Sequence, residues 1–472
     1  SAKTHISLVP SKILLESQWH FYILFLSIHS QGVPLADVRP FRGIRFNQHR
    51  SVRVGNELCP PFDGISNQQR DQLLAQSPHN VVRLELPKPE TEGADVYAQS
   101  AKQLQDWSSS KVLIRDKQPM YYLMKEEYTD SQGAHHRVGI YGAVHLEEYE
   151  RGVVLPHEHT RRGPKEDRLA MMEACGANFS PIMGLYRDPG GIRPLLTNHM
   201  AGKPPDFTAT MANGTSYEVW SLQDVDAAEE LRLLLKRIPI YIGDGHHRYE
   251  TALAYRDNVR KRENVKLDSQ GSEFVLMCLI DVEDPGMQLH GFHRALSGLT
   301  NDKLSVLQEQ VYGLFTVESR PLGGQNVESL GTFLKEAWEN RAGNPTLGLI
   351  EPEEGRLSLL TLRRKLPAGS LPFAPTPDLY QCEPWLLHQA VLDPVLGGTS
   401  GDQPEVEYVA ELDVLLKSIA DGTCQAAFLV PPLGMTLFES LVRVGQRLPP
   451  KSTFFLPKLP TGLVMNLLTG DI

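Results

Sequence analysis

The chain is poor in cysteine, lacks a long apolar run and has no excess of positive charge, and each lack removes a class of protein. Its five cysteines (Cys59, Cys175, Cys278, Cys382, Cys424) lie far apart in 472 residues, with no CxxC pair. Neither a disulfide framework nor a zinc knuckle is indicated, and reduced thiols in a cytoplasmic protein are the expectation. The one membrane-like stretch, Trp19 to Ile28, falls far short of the ~20 apolar residues of a spanning helix. Lys3 and Lys12 precede it, but His20 breaks it and no A-x-A-like cleavage site follows. The formal net charge is −10, which argues against general nucleic-acid binding, because phosphate-backbone affinity comes from clustered Lys and Arg. Also missing are an internal repeat, a P-loop, a kinase glycine-rich loop with its partner motifs and a serine-hydrolase elbow.

What remains is ordinary globular composition, 41% hydrophobic and 22% charged, enough for a sizeable core. At ~150 residues per domain, two or three domains are expected. Residues 1–35 read as an N-terminal extension, open to being disordered. An α/β domain is expected over 36–300 and a second α/β domain over 301–472. Val38 to Ile44 reads as strand and turn. Ser66 should cap a helix through Leu74, with Gln69 at the capping-box position. Val81 to Leu86 reads as a strand, and Tyr97 to Trp107 has helical spacing. Met120–Met124 and Val138–Leu146 read as strands around a polar turn. After the short strand Gly152–Leu155, Pro164 and Gly176 bracket a helix, proline first and glycine last. Ser221 should open a helix to Arg237, followed by a strand over Pro239–Ile242, a helix from His246 to Arg262 and a buried strand, Phe274 to Asp281. Beyond Asn301, helices over Leu304–Leu314 and Val327–Asn340 alternate with strands, among them a hairpin around Glu353-Glu354-Gly355. Pro367 to Pro377 reads as a linker or surface loop.

Two segments carry chemistry. The first is the strand-to-helix turn Gly243-Asp244-Gly245-His246-His247-Arg248. Two glycines let the backbone approach a ligand closely, and the helix behind them offers unpaired N–H groups and partial positive charge. Side-chain cations at such a helix start oppose the dipole unless an anion is expected. The plain alternative is an Asp244 N-cap with solvated histidines. The second is Pro156-His157-Glu158-His159-Thr160, which runs into a helix start with Arg161, Arg162, Lys165 and Arg168. Glu158, between two histidines, is the best general-base candidate. Here the alternative is that Glu166 and Asp167 satisfy the dipole while the arginines pair on the surface. The histidines together with Asp244 leave a divalent-metal site open, with His157, His159 and Asp244 as candidate ligands. Arg39, Arg42 and His293-Arg294 either reach the same pocket or belong to the surface. Lys451, Ser452, Thr453 and Lys458, set among prolines and aromatics, form either a second polar patch or an ordered packing segment.

Val38-Arg39-Pro40-Phe41-Arg42-Gly43, Asn80-Val81-Val82-Arg83-Leu84, the HEHT…GPKEDR run, GDGHHRYETALAYR and the closing PPKSTFFLPKL resemble a bacterial and archaeal family of unknown function, domain of unknown function one thousand and fifteen. The resemblance runs from about Ala36 onward, with the motifs in the family's order. The GDGHHR turn is also similar to the phosphate-binding turn of the ParB-like and sulfiredoxin-like superfamily, which includes free-serine kinases. That resemblance implies a ParB/sulfiredoxin-like mixed-sheet N-terminal domain. It implies phosphate binding by Asp244, His246, His247 and Arg248, with Glu158 as the base.

The reading that follows is a mixed α/β enzyme: a nucleotide-dependent phosphotransferase acting on a hydroxylated metabolite, using ATP or ADP with Mg2+. Glu158, His157 and His247 are the catalytic candidates. Gly243, Asp244, Gly245, His246, His247, Arg248, Lys165, Arg168 and Arg42 are the phosphate- or nucleotide-binding candidates. A metal-dependent hydrolase and a non-catalytic nucleotide-binding protein of ParB type stay open as alternatives. The expected partner is a small-molecule substrate, with no membrane and a homo-oligomer left open.

Overall fold

The computed structural model describes residues 36–48, 54–89, 91–130, 133–160, 162–263, 270–323, 326–341, 343–397 and 405–472. The extension before Ala36, with the Trp19–Ile28 stretch, lies outside the described residues, and so does Arg161. Nine strands form the larger sheet: β1 (Val38–Arg39), β2 (Tyr121–Asp130), β3 (Gly133–His145), β4 (Val154–Leu155), β5 (Ile182–Tyr186), β6 (Phe207–Thr210), β7 (Ser216–Leu222), β8 (Ile240–Asp244) and β9 (Phe274–Asp281). Their order is β4-β8-β5-β9-β3-β2-β7-β6, with β1 pairing to β3. The sheet is mixed: β8 runs parallel to β4 and β9 parallel to β5, while the other pairs are antiparallel.

The apolar run Phe274–Asp281 becomes the centre of this sheet because it is covered on both faces, and all eight residues are buried. Burial of each large apolar side chain of that kind contributes about 1.5–3 kcal/mol. Helix α1 (Arg162–Cys175) follows the loop after β4, and helix α2 (His246–Glu263) follows β8 directly. Since β4 and β8 are parallel neighbours, both helices start at the same edge of the sheet. Open α/β sheets bind ligands at that carboxyl edge of their strands.

A second, six-stranded sheet contains β10 (His293–Leu296), β11 (Phe315–Pro321), β12 (Thr346–Glu351), β13 (Arg356–Leu362), β14 (Val406–Val409) and β15 (Ala426–Leu429), in the order β11-β13-β12-β15-β10-β14. Beyond it the chain returns to the first sheet. Phe454–Leu456 pairs with Gln288–His290, Asn466–Leu467 with Ala177–Asn178, and Met465 bridges Ile44. No helix among the described residues is long and apolar enough to cross a membrane.

Two expected elements differ. Val81–Leu86 is not a strand but a helical turn, Val82–Glu85. The Asn80 side chain accepts from the Val82 amide at 2.9 Å and donates to the carbonyls of Asn56 and Leu58. That local capping overrides the β preference of two valines. Ser221 does not open a helix; it lies in β7, opposite Tyr122. The helix begins at Val225 because Asp224 accepts from the Ala227 amide at 2.9 Å, as an N-cap does.

Candidate active site

The turn between β8 and α2 is shaped by its two glycines in different ways. Gly245 has φ +97°, which a side-chain-bearing residue rarely adopts, and a Cβ there would meet the Arg248 guanidinium at about 3.0 Å. Gly243 needs no unusual φ; a Cβ on it would instead press on Leu185. Asp244 sits between two cations. One carboxylate oxygen accepts from Arg248 at 2.6 Å and the other from Lys458 at 2.5 Å. Burial pushes the Asp244 carboxyl up, but Lys458 and Arg248 outweigh it and hold the group below the usual carboxylate range.

Arg248 is itself buried, and its other end donates to the Pro181 carbonyl at 2.5 Å. It therefore locks the turn from beneath rather than facing outward. His246, at the first position of α2, is buried; its Nε2 accepts from the His157 backbone amide at 3.2 Å. An accepting Nε2 places the ring proton on Nδ1. Burial and the nearby cations hold His246 well below its ordinary value, so the ring is neutral. His247 follows, half-buried at the second position of the helix.

The His157-Glu158-His159 segment approaches from β4. The His157 ring packs edge-on against His246, with centroids 4.5 Å apart, and against Phe438 at 5.0 Å. Its Nε2 meets the Thr453 hydroxyl at 2.7 Å. Burial lowers His157 to about 3, leaving it neutral too. Burial raises the Glu158 carboxyl, and Asp244 adds to the rise, while Lys451, Lys458 and the Lys451 backbone amide, which donates to the carboxylate, pull it back. His159 is exposed.

The third wall comes from Pro449 to Lys458, a segment that packs on the β4 loop. Leu448 donates to the His157 carbonyl at 2.8 Å, and Arg447 donates to the Pro156 carbonyl. Lys451 and Lys458 then face Glu158 and Asp244, with the Lys458 ammonium 5.2 Å over the Phe454 ring. Lys451, Lys458 and Thr453 were not among the candidate binding residues. The signal available in the sequence was two lysines and two hydroxyls within eight residues of proline and aromatic surroundings.

Of the other candidates, Lys165 reaches α2 and Arg168 lines a small cavity with Arg248, but each is held by carboxylates. Lys165 donates at 2.8 Å to Glu250, which also accepts from Thr160 at 2.5 Å. Arg168 is buried against Glu85 and Asp167, with its guanidinium 4.3 Å over the Phe62 ring. Arg42 sits beside Arg115, on the segment where Ile44–Phe46 pairs with Leu113–Arg115. Among the described residues, no group of three or more His, Cys, Asp or Glu side chains is arranged to hold a metal ion. The cluster thus offers two carboxylates, Glu158 and Asp244, set against two ammonium groups and a helix N-terminus, beside neutral histidines that fix the loops.

No curated protein matches the chain. Among solved structures, a free serine kinase variant in complex with AMP is 13% identical, covering 68% of this chain and 92% of its own, with a TM-score of 0.34. A conserved hypothetical protein from Pyrococcus furiosus is 15% identical, covering 69% of this chain and 95% of its own, also at 0.34. SbnI from Staphylococcus aureus, truncated at its C-terminus, is 13% identical, covering 70% and 90%, again at 0.34. The family model described as protein of unknown function DUF1015 matches residues 38–379, and the chain belongs to that family.

Proposed function

We propose that the chain is a nucleotide-dependent phosphotransferase acting on a small hydroxylated metabolite, with the phosphoryl group received at the start of α2. The observation that supports this most is the meeting of Glu158, Lys451 and Lys458 at the Gly243–Arg248 turn, although Asp244 and Lys458 are 214 residues apart. Phosphoryl transfer asks little covalent chemistry of a protein; it asks for positioning, for cations on the transferring oxygens and for a base on the attacking hydroxyl. Lys451 and Lys458 would supply the cations, together with the N–H groups of the first turn of α2. Glu158 would take the hydroxyl proton, and its raised affinity for protons suits that task.

The remaining residues act on geometry. Asp244 holds Lys458 and Arg248 in place. His157 and His246, neutral and joined through the His157 amide, keep the β4 and β8 loops in register. Their neutrality adds no positive charge that would bind an anion nonspecifically. Magnesium arriving on a nucleotide needs only one or two protein carboxylates, and Asp244 would serve it only by giving up part of its hold on Lys458 or Arg248.

The test is incubation of the full chain with ATP or ADP and a pool of hydroxylated metabolites, followed by phosphorus NMR and thermal melts. A new phosphate ester in the wild type, with Glu158→Gln losing turnover yet keeping nucleotide-induced stabilisation, is the expected result. A wild type that neither turns over nor is stabilised by either nucleotide would overturn the reading.

A further inference from the structure

Arg294 is fully buried with no carboxylate beside it among the described residues, and it lies outside the cluster just described. It sits on β10 in the second sheet, directly opposite Tyr408 of β14, and cross-strand neighbours share a face. Its guanidinium lies 5.1 Å over the Tyr408 ring. One terminal nitrogen donates to the Phe292 carbonyl. The other donates to the Pro450 carbonyl at 3.4 Å and lies 3.5 Å from His388 Nε2. His388 stacks on Tyr408 and occupies a π-helical turn, Leu387–Leu392, a form that recurs at functional sites. Burial holds His388 at about 3, so its ring is a neutral neighbour rather than a repelling charge.

A buried guanidinium directed at backbone carbonyls fixes chain position, because each carbonyl it holds must stay where the rigid fork can reach it. Both carbonyls belong to residues that touch Lys451. Pro450 precedes it, and the Phe292 ring lies 5.3 Å beneath its ammonium. Lys451 has φ +56°, and only Lys111 shares a left-handed φ among the non-glycine described residues. Such a backbone persists where its surroundings over-determine it. On one side those surroundings are the β4 loop, through the Leu448–His157 bond. On the other side is Arg294.

We propose that Arg294 is a positioning residue, a latch from the second sheet that holds the Pro450 carbonyl and the Phe292 platform and so presents Lys451 to Glu158. The six-stranded sheet is thereby part of the active site without contributing a side chain to it. The phosphotransferase reading matters here only for the use made of Lys451; the latch is a statement about its position.

The experiment therefore needs no turnover. Arg294→Met and Arg294→Lys are made in the full chain. Backbone hydrogen exchange is followed across residues 451–453, since Pro449 and Pro450 carry no amide hydrogen, and across β9, with the acetylation rate of Lys451 by acetic anhydride. Loss of one charge-assisted hydrogen bond should speed exchange at 451–453 by about tenfold or more in Arg294→Met. Lys451 should change its acetylation rate while β9 keeps its protection. Arg294→Lys, which keeps the charge and reaches one carbonyl, should fall between; it carries the test alone if the methionine variant does not fold. Wild-type exchange at 451–453 and wild-type labelling of Lys451 in the variants would overturn the latch. So would a change spread equally over β9, which would make Arg294 a general stabiliser. Nucleotide binding is left out of these readouts, so a protein without kinase activity still returns an answer.

Discussion

Helices α1 and α2 begin alike in sequence and end differently in space. Each follows a strand at the same edge of the sheet, and each gathers cations in its first turns, where the helix dipole disfavours them. At α1 the protein supplies the counter-charges itself: Lys165 takes Glu250, Arg162 takes Glu166, and Arg168 takes Asp167 and Glu85. At α2 Arg248 is likewise satisfied, by Asp244 and the Pro181 carbonyl. What sets α2 apart is the approach of Lys451 and Lys458 from a distant segment, with Glu158 facing them. Cations at a helix start are therefore no sign of an anion site by themselves, because the fold brings carboxylates to them at both helices. The difference at α2 is that two of the cations and Glu158 come from segments distant in the chain.

The comparison can be broken at its strongest point first. Arg248→Ala removes the partner of a part-buried carboxylate and unlocks the turn, and should cost about 3–5 kcal/mol in urea unfolding. Arg168→Ala should cost about 3 kcal/mol for the same reason, yet leave stabilisation by ADP unchanged. Equal loss of ADP stabilisation in both variants would erase the distinction between the two helix starts.

A smaller effect concerns acid. His157 is held near 3 when folded and has an ordinary value near 6.5 when unfolded. The unfolded chain therefore binds the extra proton between those values, and stability present above pH 6.5 is lost progressively as pH falls toward 3. His157→Asn should flatten the stability–pH slope in that window by up to about 1.4 kcal/mol per pH unit. An unchanged slope would mean that the ring is not neutral as described. The smallest effects are at the partly exposed lysines. Lys458→Ala and Lys165→Ala should each cost about 1 kcal/mol or less, but only Lys458→Ala should weaken ADP binding, by tenfold or so for one lost charge-assisted contact. Titration calorimetry separates them.

Much of this was legible where the information is local. The Gly243–Arg248 turn, the His157–Glu158 loop and the buried strand Phe274–Asp281 all announce themselves through residues adjacent in the chain. The Val82–Glu85 turn did not: Asn80 caps it locally, but its side chain is anchored for that by the carbonyls of Asn56 and Leu58, more than twenty residues upstream. Nor did the fate of Arg168, whose partner Glu85 is 83 residues away. The resemblance of the closing PPKSTFFLPKL run to a family motif marks it as important, but only folding brings it against His157, Asp244 and Glu158. His293-Arg294 was noticed as a pair and read as reaching the pocket or lying on the surface; it is buried, and its reach is through backbone carbonyls.

The return of residues 448–467 to the first sheet sets a timetable as well as a geometry. His157 meets Thr453 across 296 residues, and Thr461 reaches Ser180 across 281. Translation at ~5–20 residues per second leaves the two loops waiting on the order of ten seconds or more before Lys451 and Lys458 exist. During that interval the Gly243–Arg248 turn lacks the wall that Lys451 and Lys458 provide. Arg248 and Asp244, neighbours in sequence, can pair at once and keep the turn shut on itself until Lys458 arrives.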